Sequence, residues 1–204
     1  MPTTRTVALL MLVTVAACAK KEAARDSTRA DSAAAASNMN PPAMTPPADT
    51  TAAAPALTDA NIVFILDQAN VADSARGRLA ESKGTSADVK SFGKLMVGEH
   101  HALRAQGQAL AKKLNVTPMA PANDQSEMQA KQETDSLTAL AKGAAWDKAY
   151  IAYEVGYHQA VLDEATKALA VAQNAELKAL ITKAAPVIQH HLDRAKEIQA
   201  KQGA

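Results

Sequence analysis

From Thr58 onward the apolar residues recur in a regular order, interrupted only by short polar, glycine or proline stretches. In "TDANIVFILDQANVADSARGRLAESK" the side chains of Ile62, Ile65, Leu66, Ala69 and Ala72 share one side of a helical wheel, which is the spacing an amphipathic helix needs. Thr58 stands at the N-cap position and Gly84 where the helix should end. Behind Thr85 or Ser86 a second long helix is predicted to run to Leu114, with Val89, Phe92, Met96, Leu103, Leu110 and Leu114 spaced by three, four or seven. The two prolines of "NVTPMAPAN" stop it, because a proline in a helix interior removes a hydrogen bond and clashes with the turn before it.

A shorter amphipathic piece follows between Asp124 and Lys142, carrying Met128, Leu137, Leu140 and Ala141. Beyond Gly143 a third long helix is predicted from Ala145 to Ala172, with a seam of Ile151, Val155, His158, Leu162, Ala165 and Leu169. The fourth, from Asn174 to Gln202, steps through Leu177, Ile181, Ala184, Ile188, His191, Ala195 and Ile198. Pro186 falls inside it and is expected to kink it. No segment alternates with the period of a strand, and aromatic residues make up 3% of the chain, so the fold class expected is all-α. Four long helices with one long connection after the second have the layout of a ferritin-like four-helix bundle with a short extra helix in the crossover. The bundle domain is placed at 58–204.

The front of the chain has a different character. "MPTTRTVALLMLVTVAACAK" holds one charge, Arg5, then an apolar run from Val7 to Val15 and small residues up to Cys18. The run is shorter than the roughly 20 apolar residues a membrane span needs, so residues 1–17 are expected to be a secretory signal. Val15-Ala16-Ala17-Cys18 resembles the bacterial lipobox, which implies that Cys18 becomes the first mature residue and carries lipid. Cys18 is also the single cysteine and has no partner for an internal disulfide. Ala19 follows it rather than an aspartate, and the same resemblance implies an outer-membrane lipoprotein facing the periplasm. Residues 18–57, rich in Ala, Pro, Ser and Thr, have too little apolar surface to offset the entropy of ordering and are expected to form a disordered tether.

Charge adds one exclusion. Loss of Arg5 with the signal leaves 21 basic and 21 acidic residues from the 22 and 21 of the whole chain, so no basic stripe is available for nucleic acid. The partners expected are a membrane, through the lipid anchor, and an unidentified protein or envelope component.

Candidate chemistry lies with the five histidines. His158 and His191 occupy slots in the apolar seams of their helices, and His100 lies at the edge of a third. Adjacent residues differ by about 100° around a helix, which turns His101 and His190 outward. Three helices thus each aim one imidazole inward, a candidate site for copper, zinc or iron, with Glu99 or Glu154 as a further ligand or as a carboxylate orienting a ring. Met96, one turn before His100, tilts a reduced site toward copper. The competing reading is that each histidine is a hydrogen-bonded buried group that fixes helix register. Trp146, Tyr150, Tyr153 and Tyr157 form a second stripe on the third long helix, either packing against the chain itself or presenting an aromatic surface to a partner.

The stretches "FGKLMVGEHHALRAQGQALAKKL", "WDKAYIAYEVGYHQAVLDEA" and "APVIQHHLDRAKEI" resemble a bacterial ferritin-like family known as domain of unknown function 4142. The matching features are Glu99-His100, Trp146-Asp147 with Tyr150, His158, and Pro186 with His191 and Leu192. The resemblance covers nearly all of 58–200 and implies a fold and an envelope location without an activity. The function expected first is a non-enzymatic envelope or stress-related protein, with no catalytic residue. Next comes a metal-binding module using His100, His158 and His191, and last a ferritin-like oxidoreductase, whose di-iron chemistry needs Glu-x-x-His motifs that the sequence lacks.

Overall fold

The computed structural model describes residues 57–203. The expected signal segment, Cys18 and all of the tether before Leu57 lie outside the described residues. Five helices follow in order: α1 (Asp59–Lys83), α2 (Ala87–Leu114), α3 (Ser126–Ala139), α4 (Ala144–Val171) and α5 (Ala175–Gly203). There is no strand among the described residues, so the chain is an all-α helical bundle.

Local chemistry sets the helix ends. At the start of α1 the Thr58 hydroxyl accepts from the Asn61 N–H at 3.2 Å, while the Asn61 side-chain oxygen accepts from the Thr58 N–H at 3.0 Å. This reciprocal box satisfies two of the donors a helix start leaves unpaired. Leu57, just before the cap, packs against the apolar cluster that holds Ile62, so the folded domain takes in one residue assigned to the tether. Ser86 caps α2 by accepting from the Val89 N–H at 3.1 Å, and Asn115 ends α2 in the left-handed region at φ 55°. Asparagine tolerates that conformation better than most side chains. α5 runs through Pro186 as a single helix.

Helix directions follow from two carboxylates. Asp147, in the first turn of α4, accepts from the N–H groups of Thr85 and Ser86 at 2.9 and 2.8 Å and from the Thr85 hydroxyl at 2.7 Å. The start of α4 therefore lies beside the start of α2. Asp59, at the start of α1, accepts from the Gln173 and Asn174 N–H groups at 2.8 and 2.9 Å, which puts the α4–α5 turn at the opposite end. α2 and α4 run one way and α1 and α5 the other. The connection from 115 to 143 spans the bundle lengthwise, and its helix α3 packs on α1 and α4.

The core divides into two apolar clusters. One, around Phe92, Met96, Trp146, Tyr150, Ile151 and Ile198, fills the end that holds the start of α2. The other, around Ile62, Val63, Ala111, Leu177 and Ile181, fills the far end. α1 and α2 approach closely at Gly77 and Gly93, where an added Cβ on Gly93 would stand 2.6 Å from Ala80 Cβ and 2.7 Å from the Gly77 carbonyl oxygen. No described helix is long and apolar enough to cross a membrane.

Candidate metal centre

Between the two apolar clusters lies a layer of buried polar residues: Asn70, Asp73 and Arg76 from α1, His100 from α2, Glu154 and His158 from α4, and His191 from α5. Helical periodicity explains why they share a level, since residues three or four apart stack on one face. Asn70, Asp73 and Arg76 step by three along α1, and Glu154 lies one turn before His158 on α4.

The three histidines expected to face inward do so. One ring nitrogen from each of His100, His158 and His191 lies within 4.8 Å of the others. The ring centroids stand 5.7 Å apart for His100 and His158, 5.0 Å for His100 and His191, and 5.3 Å for His158 and His191. His101 and His190 are exposed, as the spacing requires.

Neighbouring groups assign the proton on each ring. The Asn70 amide nitrogen donates to the Leu66 carbonyl at 2.6 Å, which leaves the amide oxygen facing His100 Nδ1 at 2.9 Å. An oxygen there accepts, so Nδ1 carries the proton and Nε2 the lone pair. His158 Nδ1 lies 2.9 Å from the Glu154 backbone carbonyl, also an acceptor, so Nδ1 carries a proton and Nε2 is the nitrogen left free. His191 Nε2 donates to the Glu99 carboxylate at 2.7 Å, which leaves Nδ1 bare. His100 Nε2, His158 Nε2 and His191 Nδ1 are all buried without a hydrogen-bond partner.

Burial lowers the pKa of His100, although Asp73 opposes the shift. Burial also lowers His191, to about 3, with repulsion from His100 and His158 adding to the effect. Burial disfavours charge on His158 too, but the Glu154 and Asp73 carboxylates outweigh it and raise that group. For Asp73 burial favours the neutral acid, yet His100, Arg76 and His158 together hold its pKa below the usual value. Burial raises Glu154, despite the His158 hydrogen bond and Arg76.

Arg76 is the counterweight. Its Nη2 donates to Asp73 Oδ1 at 2.6 Å and its Nε to Glu154 Oε1 at 3.2 Å. The guanidinium lies over the rings of Tyr157 and Tyr153 at 4.1 and 4.6 Å, a cation–π arrangement that suits a desolvated arginine. The second oxygens, Asp73 Oδ2 and Glu154 Oε2, are buried without partners.

Two alternatives left open by the sequence narrow here. The side chain of Glu99 is 40% exposed and engages the outer nitrogen of His191, so it orients that ring rather than facing the three bare nitrogens. The aromatic stripe is not a free surface. Trp146 and Tyr150 are fully buried and stacked on each other, and Trp146 Nε1 donates to the Leu137 carbonyl at 2.7 Å. Tyr153 hydrogen-bonds Glu133 of α3, and Tyr157 stacks on Tyr153. The crossover helix and Arg76 cover this face, and a partner is not needed to bury it.

Asn70, Asp73 and Arg76 escaped the sequence reading. The signal for them was a row of polar residues at three-residue steps in line with Ile62 and Leu66, where a solvent face would have been out of register with that seam. Nearer the far end a cavity of about 660 Å³ is walled largely by aliphatic side chains such as Leu66, Leu103, Ala165 and Ile181, and its lining includes His100 and Tyr157.

A family model described as "Domain of unknown function (DUF4142)" matches residues 44–198. Neither a curated protein nor a solved structure matches the chain.

Proposed function

The chain belongs to the family described as Domain of unknown function (DUF4142), and from that premise we propose that its bundle is a binding module for a transition-metal ion held by His100, His158 and His191. One observation carries the reading: buried imidazoles from three helices bring ring nitrogens within 4.8 Å of one another, and each ring keeps one buried nitrogen without a hydrogen-bond partner. A buried polar atom without a partner costs about 1–3 kcal/mol, and three gathered together repel one another besides. A cation at their centre removes both penalties. Histidines serving only to fix register would have both nitrogens satisfied.

The surroundings support the same reading. Each ring is oriented from behind, by Asn70, by the Glu154 carbonyl or by Glu99, which is how metal-binding histidines are held in a chosen tautomer. Neutral imidazoles suit zinc, copper, iron or nickel. Metal binding thereby moves ahead of the register-fixing role.

The location proposed is the periplasmic face of an outer membrane, through lipid on Cys18. Its support is the lipobox-like Val15-Ala16-Ala17-Cys18 and the lack of any other cysteine. Replacing Cys18 with Ser should abolish palmitate labelling in a bacterial host, and labelling that persists would remove the anchor.

The metal reading is tested by elemental analysis of the chain purified from the periplasm without a nickel column, followed by titration. Each of His100→Ala, His158→Ala and His191→Ala should lose most of the affinity, whereas His101→Ala and His190→Ala should keep it. Equal losses at the outward and inward histidines would refute a site at the triad.

A further inference from the structure

We infer that the cavity toward the far end of the bundle is a binding site for a long-chain fatty acid, with the carboxylate at Lys112 and the hydrocarbon tail running between the long helices toward His100. The inference stands apart from the histidine site and needs no metal.

The cavity exists because the apolar seams do not close over their whole length. Its volume of about 660 Å³ falls within the roughly 300–1,000 Å³ of small-molecule sites. Leu66 of α1, Leu103 of α2, Leu162 and Ala165 of α4 and Ala184 of α5 all line it. Helical spacing turns them inward, yet each is only partly buried. Gly107 is the clearest sign. It lies one turn after Leu103 and one turn before Ala111, both of which share the lining with it, and a Cβ built on it would meet nothing within 4 Å. At Gly77 and Gly93 the missing side chain lets two helices touch, whereas at Gly107 no neighbouring group takes up the room.

Shape and charge select the occupant. Lys112 and His100, both in the lining, are separated along α2 by about 18 Å of helix axis. The walls between them are largely aliphatic. An elongated apolar space of this kind suits a hydrocarbon chain, since burying each methylene is favourable. The charged side chains in the lining are Asp67, Arg104, Lys112, Glu133 and Glu164. Asp67 and Arg104 bind each other, Glu164 pairs with Lys167, and Glu133 accepts from the Tyr153 hydroxyl. Lys113 next door is paired with Glu176, but Lys112 has no acidic partner among the described residues. The charge left uncompensated at the rim is therefore positive, and a carboxylate complements it.

Isothermal titration calorimetry tests this on the chelator-treated full chain, with decanoate, laurate, myristate and their methyl esters kept below the concentrations at which they aggregate. Affinity should rise roughly fourfold with each added methylene. Myristate should bind more tightly than its methyl ester, and Lys112→Met should remove that preference while leaving the ester's affinity unchanged. Gly107→Leu places a side chain in the open space. It should raise Tm through helix propensity and yet weaken myristate binding roughly tenfold or more, the equivalent of about two displaced methylenes. Gly156→Leu, at an exposed position outside the lining, should keep the affinity. The acid–ester comparison and Lys112→Met decide the matter if Gly107→Leu does not fold. Absence of saturable binding to the wild type, or a folded Gly107→Leu that binds myristate as tightly, would overturn the site. An ester that binds as well as the acid, or a preference for the acid that survives Lys112→Met, would overturn the fatty-acid anion as its occupant. None of these results bears on the three-histidine reading, which stands or falls on metal content.

Discussion

His191 shows how much one side chain can carry. Its folded pKa of about 3 against an ordinary 6.5 comes first from burial and then from two neighbouring imidazoles. Between those values the unfolded chain binds more protons than the folded one, so this group's contribution is present above about pH 6.5 and is lost as pH falls toward about 3. His158, shifted upward by Glu154 and Asp73 against the effect of burial, acts with the opposite sign: its contribution is present below about pH 6.5 and is lost as pH rises through its folded value. With metal removed by a chelator, urea midpoints at about pH 7 and about pH 4.5 should differ less in His191→Gln than in the wild type. An equal or larger difference would count against the burial assigned to His191. Arg76 is the other sensitive residue. Arg76→Ala leaves Asp73 and Glu154 buried without their shared cation, and breaking such a pair from one side costs about 3–5 kcal/mol, readable as a lower urea midpoint at neutral pH.

Between helices the contact that matters most for the site is the crossing of α1 and α2. Gly77 lies one turn after Asp73 and Gly93 two turns before His100, so the close approach at these glycines sets how near the α1 carboxylate comes to the α2 imidazole. A methyl group on Gly93 meets Ala80 Cβ and the Gly77 carbonyl at less than 3 Å, which forces the helices apart. Gly93→Ala should therefore destabilise by about 1–3 kcal/mol and weaken metal binding as well. Gly98, on the same helix, has nothing within 4 Å of its would-be Cβ. Gly98→Ala should stabilise by roughly 0.5–1 kcal/mol through helix propensity alone. Thermal melts of the two variants check both signs, and similar behaviour of the pair would mean that the close crossing is not a constraint.

For the molecule as a whole, the three histidines of the proposed site come from three different helices, so metal binding should be read as global stability. At a free metal concentration about 100 times the dissociation constant, the bundle should gain about 2.7 kcal/mol. Differential scanning calorimetry should show an upward shift of Tm on adding zinc, reversed by chelator and absent from His100→Ala. A shift that persists in that variant would place the ion elsewhere on the surface.

The helices themselves were legible from sequence because their determinants are local. Caps such as Thr58 and Ser86, the prolines after Leu114 and the turn at Gly143 act within one or two residues, and the helical period sends His100, His158 and His191 to one side and His101 and His190 to the other. That the three inward histidines belong together followed from their places in the seams. Which nitrogen of each ring is bare did not, because it depends on Asn70, the Glu154 carbonyl and Glu99 arriving from positions 30, 4 and 92 residues away. Nor did the roles of Asp73 and Arg76, since a carboxylate and a guanidinium in a weakly amphipathic helix look the same in sequence whether they face water or each other. The aromatic stripe is the converse case. Its apolar area was evident, but only the return path of the crossover decided that α3 covers it. Sequence alone determined the elements and their inward faces. Tertiary structure decided which polar groups share the space between them, because burial and pairing are properties of neighbours that the chain brings together only by folding.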